Sequence, residues 1–217
     1  MAKGITRDAI VDAALAVLDD VGMDGLTVRA VAARLDVKAP ALYWHVRDKK
    51  ALLDEMGTRV WTEIAHDAGG PLSTGGDWRA ALETYAHATR RGLLAHRDGA
   101  RAFSGTALTD PSVLRDQEAG LAWMETQGFS VAAATDAVSI LTSFTVGSCI
   151  EEQERAQAPA GVYDIDKRDA AVDAASHPRV AASGRHTRAG TADERFAAQL
   201  AVVLEGIATV RSASPLL

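Results

Sequence analysis

Tyr43, Trp44 and His45 stand in a row, with Lys38 and Lys49 close on either side. Consecutive helical positions fan around the axis, so a single core cannot take all three rings and at least one must point outward. An outward phenol or imidazole beside ammonium groups suits contact with phosphates and base edges. A local aromatic minicore remains the competing role for Trp44. Charge supports a polyanion partner. Residues 29–50 hold six Arg or Lys against two Asp, on a chain whose net charge is −6. A basic patch on an acidic body is the footprint of a protein that touches a polyanion with one end.

Other chemistry is thinly represented. His87 and His96 with Asp98 could do acid–base work or hold a metal, but isolated histidines on helices are more often structural. There is no Gly-rich phosphate loop, nucleophile elbow or zinc spacing. The single cysteine, Cys149, excludes an intramolecular disulfide framework and reads as a small buried hydrophobe. No cofactor, no metal site and no catalytic residue is expected.

The elements that position these residues read as helices throughout. Thr6 caps a first helix with Ile10, Ala14, Val17, Leu18 and Val21 at helical spacing, closed by Gly22. Thr27 opens a second helix ending near Leu35. Pro40 suits the first position of a third, reaching about His45. The last two make a helix-turn-helix candidate. Asp48 caps a longer helix. Gly69–Gly76 is a loop, and Asp77 starts a helix to about His96. A short helix follows near Arg101–Ser104, and Asp110-Pro111 starts another that ends before Gly128. Ser130 caps a long helix to about Gln157. Residues 158–192 lose periodicity and are expected to be mobile, with one short helix around Asp169–Ser176. Thr191 and Glu194 form a capping box before Phe196, Leu200, Val203, Leu204 and Ile207. The fold class is all-α, with nine or ten helices. Residues 1–50 form a three-helix helix-turn-helix unit and residues 51–217 a helical body. The 217 residues suffice for one or two domains. No apolar run spans a bilayer and no export signal is evident, so a cytoplasmic location is expected.

The run Gly25-Leu26-Thr27-Val28-Arg29-Ala30-Val31-Ala32-Ala33-Arg34-Leu35, followed by Pro40-Ala41-Leu42-Tyr43-Trp44-His45-Val46, resembles the DNA-binding domain of TetR-family regulators. It is most similar to the tetracycline-repressor branch. The likeness continues in His96-Arg97-Asp98-Gly99-Ala100, Gln127-Gly128-Phe129-Ser130 and Phe144-Thr145-Val146-Gly147. It implies a homodimer on a palindromic operator in double-stranded DNA, acting as a repressor released by a small molecule. A binding or scavenging protein with lapsed DNA contact is the alternative. Carried over by motif, Thr27, Arg29, Tyr43, His45 and Lys49 contact DNA, joined by Lys38, Pro40 and Trp44. Ala39 stands where the branch reads bases with glutamine, so the operator differs. The helices from Ser130 and from about Ala192 resemble the pair that forms the dimer's four-helix bundle.

The same likeness outlines a ligand pocket: Trp61, His66, Tyr85, Thr89, Phe103, Thr106, Trp123, Met124, Phe144 and Glu151. Phe103 replaces the histidine that holds the drug's magnesium, and Gly120 replaces a drug-binding glutamine. Either Ala65 or His66 falls at a second drug-contacting histidine. These exchanges leave an apolar, aromatic cavity with a few hydroxyls and an effector that needs no metal.

Overall fold

The computed structural model describes residues 5–69 and 76–212. Among these it holds eleven α-helices and no strand. In chain order they are α1 (Arg7–Gly25), α2 (Val28–Arg34), α3 (Ala39–Leu42), α4 (Lys49–Asp67), α5 (Trp78–Leu94), α6 (Gly99–Phe103), α7 (Pro111–Thr126), α8 (Val131–Gln157), α9 (Ile165–Ala170), α10 (Pro178–Arg188) and α11 (Ala192–Ser212).

Side-chain caps decide where most of them begin. Thr6, Thr27, Asp48, Asp77, Asp110 and Ser130 each accept a backbone N–H from the first turn. Those N–H groups have no partner inside the helix. Before α11 the exchange is reciprocal. Glu194 N–H donates to Thr191 Oγ1 at 3.1 Å, and Thr191 N–H donates to Glu194 Oε2 at 2.7 Å.

Four elements differ from the sequence expectation. Gly22 does not end α1 but kinks it, with φ at +73°, and helical residues continue to Gly25. A Cβ at Gly22 would also lie 2.8 Å from Asp98 Oδ2, so glycine serves both the backbone angle and the close approach. The third helix is shorter than Pro40–His45. His45 and Val46 N–H both donate to the Leu42 carbonyl, at 2.8 and 2.9 Å, which tightens residues 43–45 into a turn. The short helix after α5 starts earlier, at Gly99. The segment 158–192 carries two helices, α9 and α10, and residues 171–177 lie in turns between them rather than in a helix. Residues 70–75 of the expected loop lie outside the described residues.

Two buried clusters organise the molecule. The first joins α1, α2, α3 and α4 through Ile10, Leu18, Val31, Leu42, Leu52 and Met56, and continues into the body through Ile64, Leu93, Phe103 and Cys149. The second packs Trp78 and Leu82 of α5 with Met124, Phe129, Leu141, Phe196 and Leu204. Tyr85 packs against both. By length and composition alone α8 could cross a membrane, which the sequence reading did not anticipate. Its stripe Ala133, Ala137, Leu141, Thr145 and Cys149 is buried, and α8 packs against α5, α7 and α11.

The α11 stripe Phe196, Leu200, Leu204 and Ile207 is buried within the same chain, whereas Val202 on the other face is 71% exposed. Leu204→Ala should therefore cost about 2–4 kcal/mol in urea denaturation. Val202→Ala should stay within about 0.5 kcal/mol of wild type in the same experiment.

Candidate nucleic-acid interface and effector site

α2 and α3 form one end of the molecule, and their inner faces are fixed by Val28, Val31, Ala32, Leu42 and Val46, all buried. That packing leaves the remaining positions outward. Trp44 is 90% exposed and Tyr43 is half exposed, so Trp44 is not part of an aromatic minicore. His45 and Ala39 are half-buried, and Pro40 is exposed. Arg29 and Lys38 are exposed and make no ion pair among the described residues. Their neighbours are committed: Arg34 pairs with Asp20, Arg47 with Asp48, and Lys50 with Asp54. Thr27 Oγ1 accepts the Ala30 N–H at 3.0 Å, which leaves its hydroxyl proton to donate outward.

Lys49 is placed differently from a free surface charge. It is half-buried, and its Nζ donates to the Met23 carbonyl at 2.7 Å. The Met23 N–H donates in turn to Asp98 Oδ2 at 2.8 Å. Asp98 sits in the turn before α6 at φ +55° and also accepts from Gln157 Nε2 at 2.8 Å. Burial alone would push the Asp98 carboxyl up. The Met23 N–H, the Gln157 amide and the guanidiniums of Arg101 and Arg97 outweigh it and hold the group below the usual carboxylate range. The Met23 backbone thus ties α1 to Lys49 at the start of α4 and, through Asp98, to the turn before α6 and to α8; sequence reasoning gave Asp98 no such structural role. His96 instead turns its Nδ1 to Asp19 at 3.1 Å and its ring edge to Phe103. His87 lies edge-on to Phe196.

The residues expected to line one pocket separate into two groups. Trp61 and Phe103 belong to the first cluster, where Trp61 Nε1 and Thr106 Oγ1 both donate to the Phe103 carbonyl, at 3.4 and 2.9 Å. Trp123, Met124 and Phe144 belong to the second, with Phe144 stacked on Phe196 at 5.5 Å. Thr89 is fully buried on α5, one turn beyond Tyr85. Two expected members are outside. The His66 side chain is 91% exposed beside Asp67. Glu151 lies on the exposed side of α8, 2.9 Å from Arg155 one turn on. Sequence reasoning also missed Arg90. It is 9% exposed, and its Nη2 donates to both Glu152 oxygens at 2.9 Å while Nη1 meets Asp193 Oδ1 at 2.7 Å. Burial would lower its pKa, but Glu152 and Asp193 outweigh that and raise it. Beside it Cys149 is buried and its thiol is pushed up to about 12, an inert hydrophobe at neutral pH.

Family models match both parts of the chain. Residues 10–56 match bacterial regulatory proteins of the tetR family, and residues 70–211 match the tetracyclin repressor-like C-terminal domain. The chain belongs to the TetR family. The tetracycline repressor protein class C of Escherichia coli is 36% identical over 211 residues, 95% of this chain and 92% of that protein. A structure described as a possible TetR family transcriptional regulator from Streptomyces coelicolor A3(2) superimposes with a TM-score of 0.80 at 35% identity, covering 94% of this chain and all of that one. The class A repressor in complex with 5a,6-anhydrotetracycline and magnesium gives 0.68 at 33% identity over 93% of this chain and 97% of that one. These TetR-family relatives are named as regulators rather than enzymes.

Among the described residues no donor set matches the magnesium of that class A complex. Phe103 is buried hydrocarbon, Glu151 is paired with Arg155, and His66 faces solvent. Among the described residues no three of His, Cys, Asp or Glu gather at metal-binding distance. The residues present do not fit the ion, which prefers oxygen ligands.

The low Asp98 pKa fixes a pH dependence. The unfolded chain binds a proton at a higher pH than the folded one, so the stabilisation is present above about pH 4 and is lost as pH falls through the folded value. Urea midpoints from pH 7 to pH 3 should show this loss in wild type. Asp98→Asn should start less stable at pH 7 and fall less steeply; parallel curves for the two proteins would contradict the role given to Asp98.

Proposed function

We propose that two copies of this chain form a cytoplasmic dimer that binds a palindromic operator as a repressor, with no catalytic activity. Residues 1–50 act as the reading unit, and the body from 51 onward holds the effector and the dimer contact. The observation that carries this reading is the exposed Tyr43–Trp44 pair at the end of α3, beside Arg29 and Lys38, which make no ion pair among the described residues. Large aromatic rings left in water by a packed helix pair are explained by a partner that covers them. Thr27, Arg29, Lys38 and Lys49 meet phosphates; Ala39, Pro40, Tyr43, Trp44 and His45 face the groove. Ala39 can touch a thymine methyl but cannot pair bidentately with adenine. A dimer supplies two reading units about 34 Å apart, one turn of DNA. Val202 of α11 and Ile140 of α8, both exposed on one subunit, mark the face that a second copy covers.

The effector enters the interior between α4, α5, α7 and α8, near Trp61, Tyr85, Thr89, Phe103, Thr106, Trp123, Met124 and Phe144. It is an apolar or aromatic small molecule and requires no metal. To release DNA it must favour one spacing of the reading units over the other.

Selection of bound fragments from genomic DNA should return a palindrome. On that site Trp44→Ala should change which base pairs are tolerated, whereas Arg29→Ala or Lys38→Ala should weaken all sites and flatten the salt dependence by about one unit of log slope. Val202→Glu should leave a folded monomer with no operator affinity in sedimentation and anisotropy measurements. Absence of any enriched sequence would leave a small-molecule binding protein.

Calorimetry addresses the effector. Tetracycline titrated with and without magnesium should show no submicromolar, magnesium-dependent binding. Such binding coupled to operator release would overturn the metal-free reading.

A further inference from the structure

Asp98 stands at the N-cap position of α6 but does not cap it. Its carboxylate is turned away, to the Met23 N–H of α1 and the Gln157 amide of α8, each at 2.8 Å. The N–H groups of a first helical turn need partners from outside the helix. For Ala100 that partner comes from α8: Gln153 Oε1 accepts its N–H at 3.1 Å. The same amide donates through Nε2 to the Leu93 and His96 carbonyls, at 3.3 and 2.7 Å. One side chain thus closes α5 and opens α6 from a third helix, the work of two caps. Gln157 lies one turn further along α8, on the same face.

The opposite side of this turn is held by α1. Asp19 accepts the Arg97 N–H at 3.0 Å and meets His96 Nδ1 at 3.1 Å. Arg97 Nη1 donates to the Asp20 carbonyl at 3.2 Å. Residues 96–98 are therefore clamped between α1 and the last turns of α8. The turn has little room to give, since a Cβ on Gly99 would lie 2.3 Å from the Leu93 carbonyl oxygen. Two hydrogen bonds, meeting at the Asp98 carboxylate, lead from Gln157 to the Met23 backbone. α1 packs directly against α2 and α4. This polar route is a second connection from the reading unit to the body, separate from the apolar one along α4. Ile140 of the same α8 lies on the face assigned to a second copy. A helix fixed in the dimer and hydrogen-bonded to the turn beside α1 governs how far apart two copies hold their reading units. Apolar packing along α4 permits sliding, whereas hydrogen bonds to a carboxylate are directional.

We infer that Gln153 and Gln157 are positioning residues for operator binding. They carry the dimer geometry from α8 through the turn and Asp98 to α1, and so fix the half-site spacing that the dimer accepts. They touch no DNA themselves. This rests on the dimeric, operator-binding reading under Proposed function.

The test uses the full chain, the palindrome selected from genomic DNA, and a copy with one base pair inserted between the half-sites. The insertion moves one half-site by about 3.4 Å and turns it by about a tenth of a turn. Anisotropy gives affinities for wild type, Gln157→Ala, Gln153→Glu and Arg155→Ala. Wild type should bind the insertion at least about tenfold more weakly than the native spacing. For Gln157→Ala that ratio should fall to about threefold or less, as loss of one hydrogen bond to a charged group allows. Its affinity for a duplex bearing a single half-site should match wild type. Gln153→Glu keeps the acceptor for Ala100 but loses the donor to Leu93 and His96, and should relax the ratio too. Arg155→Ala, which removes an ion pair within α8, should keep the wild-type ratio. Hydrogen exchange reads the brace without DNA: the Met23 amide should exchange at least about threefold faster in Gln157→Ala than in wild type. Equal spacing ratios in Gln157→Ala and wild type overturn the proposal. So does an equal loss on the single half-site, since that damage lies in the reading unit itself. If wild type binds no palindrome, the reading under Proposed function fails and the spacing role with it. Unchanged Met23 exchange in Gln157→Ala overturns the brace whatever the DNA result.

Discussion

The peptide backbone of Met23 is gripped from two directions, its N–H by Asp98 and its carbonyl by Lys49. Much of the architecture depends on that grip. Asp98 belongs to the turn that α8 braces through Gln157, and Lys49 opens the helix that carries the first buried cluster into the body. The end of α1 could not come so near without Gly22, whose missing side chain makes room for the Asp98 carboxylate. The reading unit is therefore joined to the body by packing along α4 and by two carboxylates beside α1: Asp98, which takes the Met23 N–H, and Asp19, which meets His96 and the Arg97 N–H. A few charge-assisted hydrogen bonds are directional, so they set an angle as well as a separation.

A second constraint sits deeper. Arg90 is a charge that folding has taken out of water, and it is tolerable because Glu152 and Asp193 meet it in good geometry. Those partners belong to α8 and α11. The ion cluster thus specifies how α5, α8 and α11 lie against one another, while Phe196 covers the guanidinium face. Replacing Arg90 alone would strand Glu152. This is a device for specifying one arrangement, and its net contribution to stability is small.

Much of this was legible in the residues. Starts marked by Thr6, Thr27, Asp48, Asp77, Asp110 and Ser130 were readable because a cap is a local event between a side chain and the next turn. α9 and α10 were not, since α10 begins at Pro178 but has too little apolar periodicity to show a buried face. The end of α3 was misplaced because the Leu42 carbonyl takes two donors, a choice made by the burial of Val46. At the candidate sites, residue type pointed to an outward phenol or imidazole: Tyr43 is exposed, but His45 is half-buried, and the most exposed ring is Trp44, for which a minicore had been the competing role. Residue type also led to Glu151 and His66 being expected in the pocket although both are exposed, and it missed Arg90, because the partners Glu152 and Asp193 that make its burial possible lie far along the chain. Lys49 shows the limit best: its charge was evident, but not the carbonyl 26 residues earlier that it holds.

The division of labour within α3 has an evolutionary consequence. Leu42 and Val46 do the packing, while Tyr43 and Trp44 stand in solvent and contribute little to holding the helix. Substitutions at the outer positions are nearly free in folding terms, so descendants of this chain can drift to new operator sequences without first acquiring stabilising changes elsewhere. The interior offers no such freedom, because a change at Tyr85 alters both clusters at once. Lineages from this ancestor should therefore diversify in what DNA they recognise sooner than in what small molecule they answer to.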